Sequence, residues 1–206
     1  MDLAEIKELA FKHLGNRKAH SERERGFIYY HGQRVANIAL ELRKMILPAD
    51  DANDEAIIAA AYFHDIAKGI EPHSYYGSIL VRDILKDHCS LEELELICEI
   101  IRFHQFRDKS KKYNDYIKII QDADILDHGG VVEIWMNFGY YVHKDGTLTD
   151  SLEFYQTEYD SLAEKMRNAL NYDISLEIYD EKNRFVKDFI KRLNVEAFGE
   201  IYIKHN

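Results

Sequence analysis

Only two prolines, Pro48 and Pro72, occur in this chain of 206 residues, and their scarcity restricts its fold more than any other feature. Proline ends or kinks a helix, so long stretches of this sequence are free to remain helical. Apolar residues recur every three or four positions along most of the chain, and no segment shows the strict alternation of a half-buried strand. The pattern therefore predicts an all-α fold.

Polar or glycine-containing segments separate the predicted helices. A first helix is predicted from Leu3 to near Gly15, and a second from Tyr29 to just before Pro48. Ser90 has the spacing of a capping box with a glutamate three positions later, so another helix is predicted to begin there. Further helices are predicted across 59–69, from near 72, within 116–130, over 131–143 as a buried helix, and over 151–170 and 173–193.

Composition and charge exclude several classes of function. The formal net charge of −10 argues against a nucleic-acid polymer as partner, whereas a small anionic ligand remains open if a metal or local cations gather it. No apolar run approaches the roughly 18 residues of a spanning helix, so no membrane association is expected. The amphipathic N-terminus is not a secretion signal, and the cysteines, Cys89 and Cys98, form no CxxC pair. A cytoplasmic location is expected.

Four ionisable side chains, each on a different predicted helix, lie on the apolar face of their helix and so point inward. They are His31, His64, His104 and Asp124. One inward histidine is usually a hydrogen-bonded core residue, and one inward aspartate is usually a helix cap or half of an ion pair. Four together are harder to explain in this way, because buried charges are normally paired or bound to metal. Imidazoles and carboxylates suit divalent first-row ions, so the set predicts a site for one or two of them.

The order of these residues resembles the HD-domain superfamily of metal-dependent phosphohydrolases. The resemblance rests on His31 in "YHGQRVANIA", the pair His64-Asp65 in "FHDIAK", and Asp124 in "QDADILD", with Asp122 as the alternative in the last motif. It implies that these four residues bind a divalent ion, which could be Mn, Fe, Mg, Ni, Co or Zn.

The same resemblance implies an architecture. The expected fold is a single-domain helical bundle of the HD-domain type over residues 1–206. Its core is expected at about 25–140, and a C-terminal helical tail at about 150–195 is expected to pack on that core.

Two further histidines, His73 and His104, extend the resemblance to HD proteins that bind two metals. With two ions, Asp65 is expected to bridge them and the two histidines to complete the second site. With one ion, the histidines are expected to act as general acid or substrate donor. The residues expected to take part in catalysis are Asp65, Lys68, His73 and His104. The residues expected to contact substrate are Arg34, Lys68 and Asp127.

The activity implied is hydrolysis of a nucleotide or related small phosphoester by metal-activated water. Tyr75 or Tyr76 could stack on a base at the mouth of such a site. Two alternatives remain open: a mixed-valent di-iron oxygenase, which needs all six ligands, and a non-catalytic nucleotide-binding HD module. The protein is expected to be a monomer or a homodimer.

Overall fold

The computed structural model describes residues 1–203, and this part of the chain contains ten helices and no strand. The predicted all-α fold is confirmed. Contacts divide the chain into two compact units, Met1–Asp127 and the residues from His128 onward. A single domain over 1–206 stays a prediction. Across the described residues, no helix combines the length and the apolar character that crossing a bilayer requires.

The first unit consists of six helices, and the third of them contacts four of the others. The six are α1 (Leu3–Leu14), α2 (Phe27–Ile46), α3 (Asp54–Phe63), α4 (His73–Leu85), α5 (Leu91–Phe103) and α6 (Asp115–Asp127). Every residue from Ala56 to Phe63 is buried, because α3 contacts α1, α2, α5 and α6. The capping box predicted at Ser90 begins α5, where the Ser90 hydroxyl accepts a hydrogen bond from the Glu93 amide.

The crossing of α2 and α3 is unusually close. Gly32 of α2 lies against the backbone of α3, and a Cβ atom there would come 2.9 Å from the Tyr62 carbonyl oxygen. Only glycine fits this contact without moving a backbone. The approach brings the residue before Gly32, His31, next to the end of α3.

The second unit consists of four helices, α7 (Val131–His143), α8 (Leu148–Thr157), α9 (Tyr159–Ala169) and α10 (Asp173–Glu196). The prediction of one helix over 151–170 is wrong, because the helix is interrupted at Glu158. The Thr157 hydroxyl donates to the Glu153 carbonyl oxygen at 2.7 Å, and this type of bond often bends a helix.

The prediction that α7 is a buried helix is correct for one face only. Ile134 and Met136 are buried, whereas Val131, Trp135 and Val142 are exposed. Within its unit α7 contacts α8 and α10, which cover one side of the helix. The apolar residues on the other side gain no cover from these two helices.

The core of the second unit contains a buried carboxyl group, Glu133. The Tyr155 hydroxyl donates to Glu133 Oε2 at 3.2 Å, and the rings of Tyr159 and Tyr179 are also buried. Burial raises the pKa of Glu133 to about 7, although the hydrogen bond from Tyr155 acts in the opposite direction. A buried carboxyl group in this setting favours its neutral form.

We expect the variant Glu133→Gln to be more stable than the wild type above pH 7. The folded pKa of about 7 exceeds the ordinary glutamate pKa of 4.5, so the wild type loses stability as pH rises between these values. The full loss is about 3 kcal/mol, at 1.36 kcal/mol per pH unit. Denaturant titrations at pH 4.5 and pH 8, followed by fluorescence of the single tryptophan, Trp135, measure the difference.

The control for this comparison is Glu177→Gln, which removes the same charge from an exposed position on α10. It should change stability by less than about 0.5 kcal/mol at either pH. A difference between Glu133→Gln and the wild type that is equal at pH 4.5 and pH 8 would contradict the raised pKa of Glu133.

Candidate metal centre

The histidines and aspartates singled out in the sequence come from five helices of the first unit and converge at the ends of several of them. His31 lies on α2, His64 and Asp65 directly follow α3, His73 begins α4, His104 directly follows α5, and Asp124 and Asp127 lie on α6. All but Asp124 are buried. The convergence is therefore a property of the packing, since residues up to 96 positions apart along the chain meet here (31 to 127).

One group of donor atoms comes from His31, His64 and Asp65, whose nitrogen and oxygen atoms all lie within 4.8 Å of one another. The Nε2 atoms of the two histidines are 3.1 Å apart. Asp124 Oδ1 lies 3.3 Å from His31 Nε2 and 3.9 Å from His64 Nε2. The alternative, Asp122, belongs to no group of three such donors within residues 1–203. The geometry favours Asp124.

Two of the histidines are oriented by the same type of local hydrogen bond. His64 Nδ1 and His104 Nδ1 each lie 2.7 Å from the carbonyl oxygen three residues earlier, in Ala61 and Ile101 respectively. A carbonyl only accepts, so each Nδ1 carries the hydrogen and each Nε2 presents its lone pair. The bond also satisfies a carbonyl in the last turn of the helix, which has no intrahelical partner.

His31 is oriented by a carboxylate. Its Nδ1 donates to Asp127 Oδ2 at 2.7 Å, and Arg34 Nε donates to the other oxygen, Asp127 Oδ1, at 2.7 Å. Burial raises the pKa of Asp127, but the bonds from His31 and Arg34 outweigh it and lower the pKa to about 2. Both oxygens of Asp127 are thus engaged, which favours an orienting role over the substrate contact predicted for it.

The donor set fits a divalent cation. With both Nδ1 atoms donating, neutral His31 and His64 would direct two lone pairs at each other across 3.1 Å. That contact is repulsive unless a positive charge lies between or beside the two nitrogens. Nitrogen ligands about 2.1 Å from one ion, at about 90–110° to each other, lie about 3.0–3.4 Å apart, so the spacing suits two ligands of one metal.

Without a metal, a proton takes the place of this charge. Burial lowers the pKa of His31, but its hydrogen bonds with Asp124 and Asp127 prevail and raise it to about 9. The pKa of His64 is lowered by burial, so the proton resides on His31. Metal binding at this position is expected to release that proton.

A second group of donors shares Asp65 with the first. Asp65 Oδ1 lies 3.3 Å from His73 Nε2 and 3.8 Å from His104 Nε2. Burial raises the pKa of Asp65, but its cationic and imidazole neighbours hold it well below the usual range. Burial, with His64 close by, lowers the pKa of His104 to about 3, so this imidazole stays neutral. Asp65 is placed where it could bridge two ions.

Three cationic side chains surround the donor groups. Lys68 Nζ lies 3.3 Å from Asp65 Oδ2, Arg34 pairs with Asp127, and an Arg107 nitrogen lies 3.4 Å from Asp124 Oδ2. Each of the three side chains is between 22% and 34% exposed, so each can still reach a ligand. A small anionic ligand is therefore compatible with this site, although the whole chain carries a net charge of −10.

Gln121, which was given no role from the sequence, joins the His104 turn to α6 together with Arg107. Gln121 Nε2 donates to the carbonyl oxygens of Phe103 and Phe106, at 3.0 and 2.6 Å. Arg107 donates to the carbonyl oxygens of His104 and Gln121. Since the acceptors are backbone atoms, only the presence of a buried glutamine one turn before Asp124 could have hinted at this connection.

Comparison with known proteins gives matches along most of the chain. The family model for the HD domain matches residues 28–129. The uncharacterised protein YpgQ of Bacillus subtilis is 24% identical over 181 residues, which cover 84% of this chain and 86% of YpgQ.

Solved structures resemble the chain over nearly its whole length. The crystal structure of B. subtilis YpgQ in complex with ADP aligns with a TM-score of 0.68 and 20% identity, covering 96% of this chain and 99% of YpgQ. A Lactobacillus plantarum protein aligns with a TM-score of 0.65 and 22% identity, covering 96% of this chain and 97% of that protein. Both likenesses concern the fold.

Proposed function

This chain belongs to the HD-domain superfamily, and we propose that it is a metal-dependent phosphohydrolase. The proposed reaction is hydrolysis of a phosphoester or phosphoanhydride bond in a small phosphorylated molecule. One observation carries the proposal: the buried Nε2 atoms of His31 and His64 face each other across 3.1 Å beside the carboxylates of Asp65 and Asp124. Such a set is stable only around a positive charge.

We propose a nucleotide as the first substrate class to test. The relative YpgQ has been crystallised in complex with ADP. In this chain, Lys68, Arg34 and Arg107 give the site three cations at its partly exposed edge. Charged groups of this kind bind phosphate oxygens, Arg in a bidentate manner and Lys as a point charge.

The proposed metal ligands are His31, His64, Asp65 and Asp124, with His73 and His104 as ligands of a second ion. A divalent ion held by these residues supplies Lewis-acid chemistry, activating water and stabilising negative charge on a phosphoryl group. Asp127 keeps His31 in the tautomer that presents Nε2 to the site. Mn, Fe, Mg, Ni, Co and Zn all remain candidates for this set of nitrogen and oxygen donors.

The chain's own contribution to the reaction is to hold substrate and protons in place. Lys68 is proposed to bind a phosphate oxygen, since its side chain is partly exposed and its ammonium group lies 3.3 Å from Asp65 Oδ2. His73, which is hydrogen-bonded to both Asp65 and Glu71, is proposed to donate to the substrate when no second ion is bound. Both roles place a hydrogen-bond donor beside a developing negative charge.

Elemental analysis followed by an activity screen tests the proposal. The protein is purified, its metals are measured, and release of phosphate or pyrophosphate is assayed over a panel of nucleotides and phosphoesters with each candidate ion. The expected result is turnover of at least one substrate. A chelator should abolish this turnover, and adding back one of the ions should restore it. A metal-loaded protein that leaves the whole panel intact would contradict it.

The same samples distinguish the alternatives. The di-iron oxygenase draws support from the carboxylate shared between the two donor groups, Asp65, and requires two irons per chain with oxygen consumption. A non-catalytic module would bind nucleotide, measured by calorimetry, without turning it over. Cytoplasmic location and the monomeric or homodimeric state stay predictions.

A further inference from the structure

The turn that carries Asp65 and Lys68 is buried from Asp65 to Ala67, but the chain becomes exposed after Lys68. Backbone amides of this turn bond to carbonyls three residues earlier, as Lys68 does to Asp65 and Ile70 to Ala67. Residues 69–72 are exposed, and the space around a Cβ at Gly69 is open to 4 Å. An exposed segment with few buried contacts opens readily, so we expect the end of this turn to open more easily than its start.

Arg17 holds this turn from a distant part of the chain. Its side chain donates to the carbonyl oxygen of Ile66 and, at 3.0 Å, to that of Lys68. Arg17 follows α1, and its own amide donates to the Leu14 carbonyl oxygen at 2.9 Å. The guanidinium group therefore joins the end of α1 to two alternate carbonyls of the turn.

We infer that Arg17 is a positioning residue that fixes the backbone from which Lys68 reaches the site. The inference rests on the proposed function, because it concerns the same phosphate-binding lysine. Lys68 Nζ lies 3.3 Å from Asp65 Oδ2, on a side chain with four rotatable bonds. Holding the Lys68 carbonyl restricts where that ammonium group can lie. An arginine suits this task because its planar fork spans two acceptors.

A double-mutant cycle tests whether Arg17 acts through Lys68. Arg17→Ala is expected to lower kcat/KM about tenfold, since small misplacements of a substrate-binding group are costly. In the Lys68→Ala background, the same substitution is expected to change kcat/KM by less than about twofold, because the group it positions is absent. Arg17→Lys keeps the positive charge but lacks the planar guanidinium group that spans two acceptors. Its kcat/KM is expected to lie between those of Arg17→Ala and the wild type.

The matched control is Arg25→Ala. Arg25 lies in the same loop and donates to Asn16 Oδ1 at 2.7 Å. The Arg25→Ala substitution should leave kcat/KM unchanged. Equal effects of Arg17→Ala in the wild-type and Lys68→Ala backgrounds would overturn the inference, because Arg17 would then act independently of Lys68.

Amide hydrogen exchange provides a readout that needs no activity. Arg17→Ala should raise exchange at the amides of Lys68 and Ile70 by about tenfold or more, while exchange at α5 stays at the wild-type level. Arg25→Ala should raise neither. Unchanged exchange in Arg17→Ala overturns the inference whatever the kinetics show. If exchange is faster in Arg17→Ala but the wild type hydrolyses no substrate, the proposed function is overturned instead, and Arg17 is a purely structural tether.

Discussion

Replacing His64 with alanine is expected to abolish both metal binding and hydrolysis. His64 Nε2 lies 3.1 Å from His31 Nε2, and its Nδ1 is fixed by the Ala61 carbonyl oxygen, so its lone pair is held at the proposed metal position. Removing a residue that merely orients a ligand typically lowers metal affinity or activity about 10–100-fold, so loss of a ligand should exceed this range. Metal content after dialysis and the rate of phosphate release measure the two losses.

A second variant and a control keep this result interpretable. Asp65→Asn preserves the shape of the side chain but removes the negative charge shared by both donor groups, and is expected to lose activity to a similar extent. His13→Ala, at an exposed position on α1, should retain wild-type metal content and rate. Circular dichroism verifies that each variant folds. Full activity in a folded His64→Ala protein would refute the assignment of this site.

Gly32→Ala is expected to destabilise the first unit and to disturb the site with it. The added Cβ would lie 2.9 Å from the Tyr62 carbonyl oxygen and 3.0 Å from that of Ala61, and backbone atoms cannot rotate away. Forcing extra volume into such a contact costs about 1–3 kcal/mol. Separation of α2 from α3 would also move His31 away from His64. Denaturant unfolding and metal content report the two effects.

Gly139→Ala is the matched control for this substitution. Gly139 also lies within a helix, α7, but the space around its Cβ position is open to 4 Å. Alanine favours a helix over glycine by about 1 kcal/mol, so this variant should be as stable as the wild type or more stable. If both substitutions stabilised the protein, the close contact between Gly32 of α2 and the backbone of α3 would be contradicted.

Local features of the fold could be predicted from the sequence because they depend on residues close along the chain. The capping box at Ser90 needs only a glutamate three positions later, and it begins α5. The helices that flank Pro48 and Gly15 end where those residues predict. The break at Glu158 was missed because the Thr157 side chain, which competes with the backbone there, is compatible with a continuous helical pattern.

The extent of burial was predicted less well. The apolar sequence of α7 indicated a buried helix, yet Trp135 and Val142 are exposed. Helical periodicity shows which residues share a face, but the neighbours that cover a face are set by packing. The same limit applies to Arg17, whose partners are carbonyl groups that any residue would supply.

For this protein, the sequence alone determined the helical class and the residues that point inward, including His31, His64 and Asp124, because both follow from the spacing of apolar side chains along a helix. The tertiary structure alone decided that these side chains meet, with two imidazole nitrogens 3.1 Å apart. That distance depends on how closely α2 and α3 cross at Gly32, which is fixed by contacts between helices. No pattern within a single helix contains that information.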